Sequence, residues 1–565
     1  PLQTKFGVKI TMIKPQQQST GARVLEAGSP SGLLQLQAAQ WTDHVLFCLP
    51  DSVAALWPDE QAAWRYGEME RAVEQLAGRY ADAGYGNGHR VALLLENRPS
   101  HFLHWLALNR CGASVVPVNP DYRHEEMLYL LSHSEACLVV SLPSRLPQIA
   151  PAAQETGTAI IGPDDTPPAP PSASTPNGDT LEAEAALVYT SGTTSKPKGC
   201  ILSNRYFLNW AWWYGEQGSA IALRPGQERL LTPFPTFHVN AMGHSFMGML
   251  GAGGAQIILD RFHPKSWWQT AVDTGATCFH YLGVIPAILL ELPETPQDRA
   301  HQMRFGLGGG VHPDHHARFE KRFGLPLLEG WAMTETGGAG TLCASDTDRH
   351  VGTRCIGRPD RPGPPLEVLL VDDDGQPVAE GQPGELLVRA SGGNPRQGFF
   401  SGYLKDPQAT QEAWRGGWLH TGDVMRQGPD GALHFVDRRK NIIRRSGENI
   451  AAVEVETVIA ALHGVRQVAV VATPDPLREE EVLAIVEAIP GHDRAALAED
   501  IFEACAKHLA YYKVPGLLVF TDSMPTTTTQ KIRKAALRDI AQAPSDQPGA
   551  VDWRSRKAGL RGGKS

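Results

Sequence analysis

The stretch Thr190-Ser-Gly-Thr-Thr-Ser-Lys-Pro-Lys198-Gly199 follows directly on the apolar run Ala185-Ala-Leu-Val-Tyr189. An apolar run of this length, ended abruptly by glycine and small hydroxyl residues, reads as a buried strand opening into a loop. Glycine and small residues let backbone N–H groups approach an anion closely, hydroxyls add donors, and Lys196 and Lys198 bring charge. The composition is that of a loop built to grip phosphate. It departs from the Walker pattern, because no Gly-Lys-Ser/Thr follows four residues after Gly192.

Upstream of this loop, helical and strand patterns alternate. Val73, Leu76, Ala77 and Tyr80 recur at three- and four-residue steps, and Val91 to Leu95 is a continuous apolar strand. Helical spacing returns through Phe102, Trp105, Leu106 and Ala107. A strand at Val115–Val118, a helix at Glu125–Leu131 and a strand at Ala136–Val140 follow. Such alternation predicts right-handed βαβ units on a parallel sheet, an α/β fold. Residues 162–180, rich in Pro, Ser and Asp, read as an exposed loop.

Downstream the pattern changes. Asp374-Gly375 and Asp430-Gly431 are hairpin turns between short alternating runs such as Glu385–Arg389. The last 125 residues read as helix (Ala452–Leu462), two strands (Val468–Ala472, Val482–Ala488), helix (Ala495–Leu509) and strand (Leu517–Phe520). The expected organisation is a large N-terminal domain of βαβ sheets over 20–439, with a β-rich subdomain at about 350–439. A small α+β domain at 440–545 and a tail at 546–565 complete it.

At 565 residues the chain is too long for one core, and 42% hydrophobic with 20% charged residues is a globular balance. No run of about eighteen apolar residues occurs, so no membrane span is expected. The first twenty residues lack the long apolar segment of a secretory signal. The whole net charge of -9 lies in residues 1–440, since 441–565 hold 16 Lys and Arg against 16 Asp and Glu. That balance argues against a nucleic-acid face. The basic tail (Arg554, Arg556, Lys557, Arg561, Lys564) reads as solvated chain. Eight cysteines, none at two-residue spacing, fit free thiols in a reducing cytoplasm.

Further motifs follow the phosphate loop in order: Gly330-Trp-Ala-Met-Thr-Glu335, then Trp418-Leu-His-Thr-Gly-Asp423. Asp437-Arg-Arg-Lys440 precedes Ser446-Gly-Glu-Asn449, and Thr529-Gln-Lys531 lies in a polar loop. Glu335 is a hard oxygen ligand suited to Mg²⁺, Thr334 can donate to phosphate, and Asp423 can accept from sugar hydroxyls. Trp331 has a face for a purine but would as readily be core. Gly308-Gly309-Gly310 can pass a purine without side-chain obstruction, yet Gly306-x-Gly308 is no complete dinucleotide fingerprint. His312, His315 and His316 form no expected metal site; a helix start after Pro313 accounts for them.

The ordered set resembles the adenylate-forming superfamily: acyl-CoA synthetases, peptide-synthetase adenylation domains and luciferases. The resemblance covers roughly 40–540. Ser195 and Gln530 stand where many members have glycine, and Trp331 replaces the commoner tyrosine. Ser195, together with Phe435-Val-Asp-Arg-Arg-Lys-Asn-Ile-Ile-Arg-Arg-Ser-Gly-Glu-Asn449, is most similar to the carnitine/crotonobetaine-CoA ligase branch.

The resemblance implies an ATP-dependent acid–thiol ligase acting on a small-molecule carboxylic acid, with ATP, Mg²⁺ and coenzyme A. It assigns Thr190, Ser191, Gly192, Thr193, Thr194 and Lys198 to the phosphates, with Gly309, Gly310 and Trp331 at the adenine. Asp423 and Arg438 fall at the ribose, and Thr334 and Glu335 at phosphate and metal. Lys531 would bridge carboxylate and α-phosphate, and His238 would orient the acid or gate the second substrate's tunnel. Lys440 would be the hinge of a small mobile domain that swaps Lys531 out and brings Gly447 in. Two rival readings are an amide ligase and a non-catalytic nucleotide sensor. The aromatic cluster Trp210, Trp212, Trp213, Tyr214, with Phe234 and Phe237, is either helix core or the wall of a medium-sized acid pocket, able to cage a quaternary ammonium.

Overall fold

The computed structural model describes residues 20–560 apart from 177, 179, 191–195, 312, 346–347, 373, 439–441, 526–531 and 533. The chain divides into two compact units. One holds most of the chain up to Asp437; the other is formed by Arg438 onward with Pro120–Leu130 and Tyr189–Lys198.

Among the described residues the first unit is built on three sheets. The seven-stranded sheet runs Gly402–Tyr403, Lys198–Ser203, Glu184–Thr190, Ser114–Pro117, Arg90–Leu94, Leu138–Ser141, Ala159–Ile161. Its central strands pair in parallel, Val91 opposite both Val115 and Leu138. They are buried almost end to end, which is why the sequence shows unbroken apolar runs there. The helix Tyr66–Ala83, which leads into the strand Arg90–Leu94, buries Met69, Val73, Leu76, Ala77 and Tyr80, one stripe at helical spacing. It stops at Gly84, whose φ of 101° few other residues tolerate.

The eight-stranded sheet matters most for chemistry. Within it Arg229–Thr232, Cys278–Leu282, Phe305–Gly309 and Leu327–Trp331 are successive parallel neighbours. Their C-terminal ends therefore share one edge, and that edge is where α/β sheets bind ligands.

The four-stranded sheet is the β-rich part: Leu366–Val371, Pro383–Ala390, Leu419–Gln427 and Leu433–Arg438, antiparallel across the first two pairings. Gly375 and Gly431 turn its hairpins at φ 75° and 82°.

In the second unit a six-stranded sheet centres on the antiparallel pair Val465–Asp475 and Glu479–Ala488, with Leu517–Thr521 added in parallel. Helices Ala452–Ala460 and Arg494–His508 contribute Val455, Ile459, Ile501 and Phe502 to its own core.

The basic tail, expected to be solvated chain, is folded as far as residue 560. Val551–Asp552 pairs with Leu517–Leu518, and the helix Arg554–Gly559 follows. Trp553 is only 3% exposed and Lys557 is fully buried. One aromatic to bury and one lysine with an acidic partner outweigh the charge run; Arg561 and Lys564 lie outside the described residues. Among the described residues no helix is long and apolar enough to cross a membrane. All eight cysteines are free thiols.

Candidate active site

The shared strand edge gathers several of the expected residues. Phe305–Gly309 ends in the triple glycine, and Leu327–Trp331 ends in the aromatic that precedes Thr334 and Glu335. The glycines have a packing reason of their own. A Cβ on Gly309 would lie 2.7 Å from the Gly330 carbonyl oxygen, and one on Gly308 would lie 2.0 Å from that of Tyr281. Without side chains here the strands close up, Gly309 lies against Gly330, the residue before Trp331, and Gly309 and Gly310 stay partly open to solvent.

Trp331 is held by its edge. The indole N–H donates to Asp423 Oδ2 at 2.8 Å, and both side chains are buried. Two residues 92 apart in sequence, expected separately at adenine and ribose, are thus one hydrogen-bonded pair. The Gly422 N–H donates to Glu385 Oε1, and the Thr421 hydroxyl to the Leu386 carbonyl, which fixes the bulge at Thr421-Gly-Asp423 within the strand Leu419–Gln427.

Glu335 is buried at 8% exposure. The Tyr403 hydroxyl donates to its Oε1 at 2.7 Å, and the Cys200 sulfur lies 3.9 Å from the same oxygen. Tyr403 reaches that point because Gly402–Tyr403 pairs antiparallel with Cys200 and Ile201, just beyond Lys198. Burial, with the Glu335 charge, pushes the Tyr403 phenol far up, so it remains a donor at any working pH. The Tyr206 hydroxyl donates to the Thr334 carbonyl at 2.8 Å and fixes that turn from the other side.

One carboxylate so aimed fits Mg²⁺, which is commonly held by one or two carboxylates together with substrate phosphates. No described group of three His, Cys, Asp or Glu could cage a metal alone. His316 instead bonds the Leu327 carbonyl at 2.9 Å, a structural role.

His238, half-buried, lies in the loop after Arg229–Thr232 and leads into a π-helix, Asn240–Met247. π-segments are uncommon and frequently mark functional sites. The aromatic cluster packs against this segment. A Cβ on Gly243 would lie 2.6 Å from the Trp210 ring, and one on Gly248 would lie 2.4 Å from Tyr214. Trp210, Trp213 and Tyr214 are therefore core between two helices, not an open cage. Beside them His244 stacks on His280 at 4.0 Å. His244 sits deep although part of its surface stays accessible, and burial pushes its imidazole down to about 3, so it is neutral.

Thr190 and Lys198 flank the phosphate loop as the ends of the strands Glu184–Thr190 and Lys198–Ser203. Ser191, Gly192, Thr193, Thr194, Lys440, Lys531 and the Arg438 side chain lie outside the described residues. Gly447 (φ 86°) and Ser446 (φ 51°) form a two-residue turn of the kind that favours glycine.

Sequence reasoning missed Tyr403 and Glu329. Neither lies at a spacing that points to its partner. Glu329 Oε1 accepts from the Val311 N–H at 3.0 Å, pinning the chain just after the triple glycine. Burial raises its carboxyl from 4.5 to about 7. The folded protein thus holds this proton to higher pH than the unfolded chain does. Its contribution is full below pH 4.5 and is lost as pH rises through about 7, on the order of 3 kcal/mol. Glu329→Gln is expected to abolish that loss and raise the urea midpoint at pH 8 relative to the parent. Identical pH dependence in the two proteins would refute the assignment.

Comparison with known proteins places this geometry. The AMP-binding enzyme family profile matches residues 35–404, and that of the AMP-binding enzyme C-terminal domain matches 454–531. A sulfoacetate–CoA ligase of Cupriavidus necator is 31% identical over 528 residues, covering 90% of this chain and 97% of its own. A crotonobetaine/carnitine–CoA ligase of Proteus mirabilis is 28% identical over 498 residues, covering 84% and 92%. Among solved structures, the amide bond synthetase McbA from Marinactinospora thermotolerans superposes with a TM-score of 0.76 at 25% identity, covering 93% of this chain and all of that one. The ordered motifs, the paired sheets and these matches agree: the chain belongs to the AMP-binding enzymes, within the adenylate-forming superfamily and of the acyl-CoA synthetase type.

Proposed function

We propose that this protein is an AMP-forming acid–CoA ligase whose reaction runs in two half-steps at one site. A carboxylate oxygen attacks the α-phosphorus of ATP, the bond to pyrophosphate breaks, and an acyl-adenylate forms. The sulfur of coenzyme A then attacks the acyl carbon, AMP leaves, and the thiol proton goes to solvent. The first step sets an anion against an anion, so its barrier is electrostatic and is lowered by fixed donors and cations.

Thr190, Ser191, Gly192, Thr193, Thr194 and Lys198 hold the β- and γ-phosphates. Thr334 donates to the α-phosphate, and Lys531 bridges that phosphate and the attacking carboxylate. Glu335, oriented by Tyr403, would hold Mg²⁺, which when bound offsets phosphate charge. Asp423 accepts from the ribose hydroxyls, Arg438 donates to them, and the Trp331 face and Gly309–Gly310 wall the adenine. Lys440 is the hinge, and the Gly447 turn meets coenzyme A in the second half-step. The observation that carries this reading is the buried junction Cys200–Tyr403–Glu335. It ties the strand leaving the phosphate loop to the candidate metal carboxylate.

The acid is small to medium-sized. Trp210, Trp213 and Tyr214 fill the space between their helix and the π-segment that follows His238, with neutral His244 and His280 beside them, which favours a short acid over a long flexible tail. Crotonobetaine/carnitine and sulfoacetate, named for two relatives, fit that size. A panel of straight-chain acids from C2 to C16, with betaine-type and sulfonated acids, tests it by thioester formation. The highest kcat/KM is expected on a short acid, and a maximum at C16 overturns the pocket reading. The likeness to McbA supports a second reading in which an amine takes the acyl group.

A further inference from the structure

The hairpin Ile442–Arg445/Glu448–Ala451, with Ser446-Gly447 at its tip, needs a fixed direction if the tip is to meet a substrate. What fixes it is the Arg478–Glu481 segment, and that segment is itself held by Lys557, a residue beyond the match to the C-terminal family profile at 454–531. Arg445 Nε donates to Glu481 Oε2 at 2.7 Å, and Lys557 Nζ donates to Glu481 Oε1 at 2.6 Å. All three side chains are at most 3% exposed. Glu481 Oε1 also accepts from its own neighbour, the Val482 N–H, at 2.8 Å.

Gly516 makes room for this carboxylate, since a Cβ there would lie 2.5 Å from Glu481 Cγ and Cδ. The Trp553 N–H donates to the Gly516 carbonyl at 2.8 Å, and the Lys557 N–H to that of Trp553 at 2.7 Å, which ties the helix Arg554–Gly559 to the same spot. At the tip the Ser446 N–H donates to the Arg478 carbonyl at 3.1 Å, and the Arg444 N–H donates to Glu480 Oε2 at 2.6 Å. The hairpin is therefore braced from the Arg478–Glu481 segment, and Lys557 braces that segment from behind.

We infer that Lys557 is a positioning residue for thioester formation: through Glu481 and Arg445 it holds the Ser446-Gly447 turn in register, and it has no part in adenylation. This rests on the reading that the Gly447 turn serves the second half-step. A purely stabilising ion pair needs no such chain of contacts, and buried ion pairs are weak stabilisers in any case. The charges here are also unequal, two cations on one carboxylate. Burial opposes ionisation of Glu481, but Lys557 and Arg445 outweigh it and hold the carboxyl below its usual range. Burial and the Arg445 charge push the Lys557 ammonium down to about 7. Arg478 is the remaining cation nearby, and Cys505, pushed up to about 12 by burial, stays neutral.

The test compares Lys557→Met, Gly447→Ala and the double variant in both half-reactions, with a short acid that the parent enzyme activates. Lys557→Met is expected to leave acid-dependent pyrophosphate–ATP exchange within about twofold of the parent. It should slow thioester formation from supplied acyl-adenylate by about 10²-fold, the usual cost of misplacing a reacting group by an ångström. If Lys557 acts through the hairpin, the double variant is no slower than Gly447→Ala alone. Amides of residues 443–450 should exchange with solvent about tenfold faster in Lys557→Met; Lys557→Gln provides the same measurement if the methionine protein does not fold. Equal loss in both half-reactions, additive effects or unchanged exchange overturns the inference. Thioester formation intact in Gly447→Ala, with exchange still accelerated in Lys557→Met, would instead remove the role given to the turn and leave the brace standing.

Discussion

Lys531→Ala is expected to lower acid-dependent exchange of pyrophosphate into ATP by about 10²–10³-fold, the typical cost of one preorganised charge contact in a transition state. Thioester formation from synthetic acyl-adenylate and coenzyme A should keep its rate. The asymmetry follows from the chemistry. In the first half-step negative charge on the carboxylate and on the α-phosphate must be brought together, and an ammonium bridging the two is worth most at that moment. In the second the leaving group is already an adenylate and the nucleophile is a sulfur. Lys531 sits in Thr526-Thr-Thr-Thr-Gln-Lys531, a polar segment without an apolar anchor, as a residue used in one half-step and withdrawn in the other requires. Equal loss in both half-reactions would contradict this role.

Glu335→Gln is expected to raise the Mg²⁺ concentration needed for half-maximal adenylation by more than Tyr403→Phe does, and both variants above the parent. The amide keeps the shape of Glu335 and its acceptor for the Tyr403 hydroxyl but loses the charge that attracts a cation. Phenylalanine at 403 keeps the ring and removes the donor that orients Oε1. Loss of such an orienting partner costs about 10–100-fold in metal affinity. Magnesium titrations of the exchange reaction check both variants, and curves that superpose on the parent's would remove Glu335 from the metal site.

The strand that ends at Thr190, the βαβ alternation and the hairpin turns were legible because each is written in neighbouring residues. A short apolar run such as Val91–Leu95, bounded by polar residues, favours a strand buried on both faces, and Asp430-Gly431 dictates a turn locally. What joins distant segments was not legible. Trp331 and Asp423 could be placed at one nucleotide only through a resemblance; their direct hydrogen bond is a property of two different sheets. Tyr403 lies in Gly402-Tyr-Leu-Lys with nothing nearby to betray its reach to Glu335, 68 residues away. The tail misled for the converse reason. Its charge density argued for solvent, whereas Trp553 and one lysine with a buried partner decided its fold. The tryptophans at 210–213 had two readings because an aromatic stripe looks the same facing a ligand or facing a glycine. The close approach of Gly243 to Trp210 settles it for the core.

The central claim is one site with two ordered half-reactions ending on a thiol. A single-turnover rapid-quench experiment with α-labelled ATP and a short acid tests it most directly. With acid and no coenzyme A, the account predicts acyl-adenylate equal to enzyme, with pyrophosphate released and little free AMP. Adding coenzyme A should then release AMP and form thioester in equal amounts at equal rates. AMP release that ignores coenzyme A but follows the concentration of an added amine would contradict it.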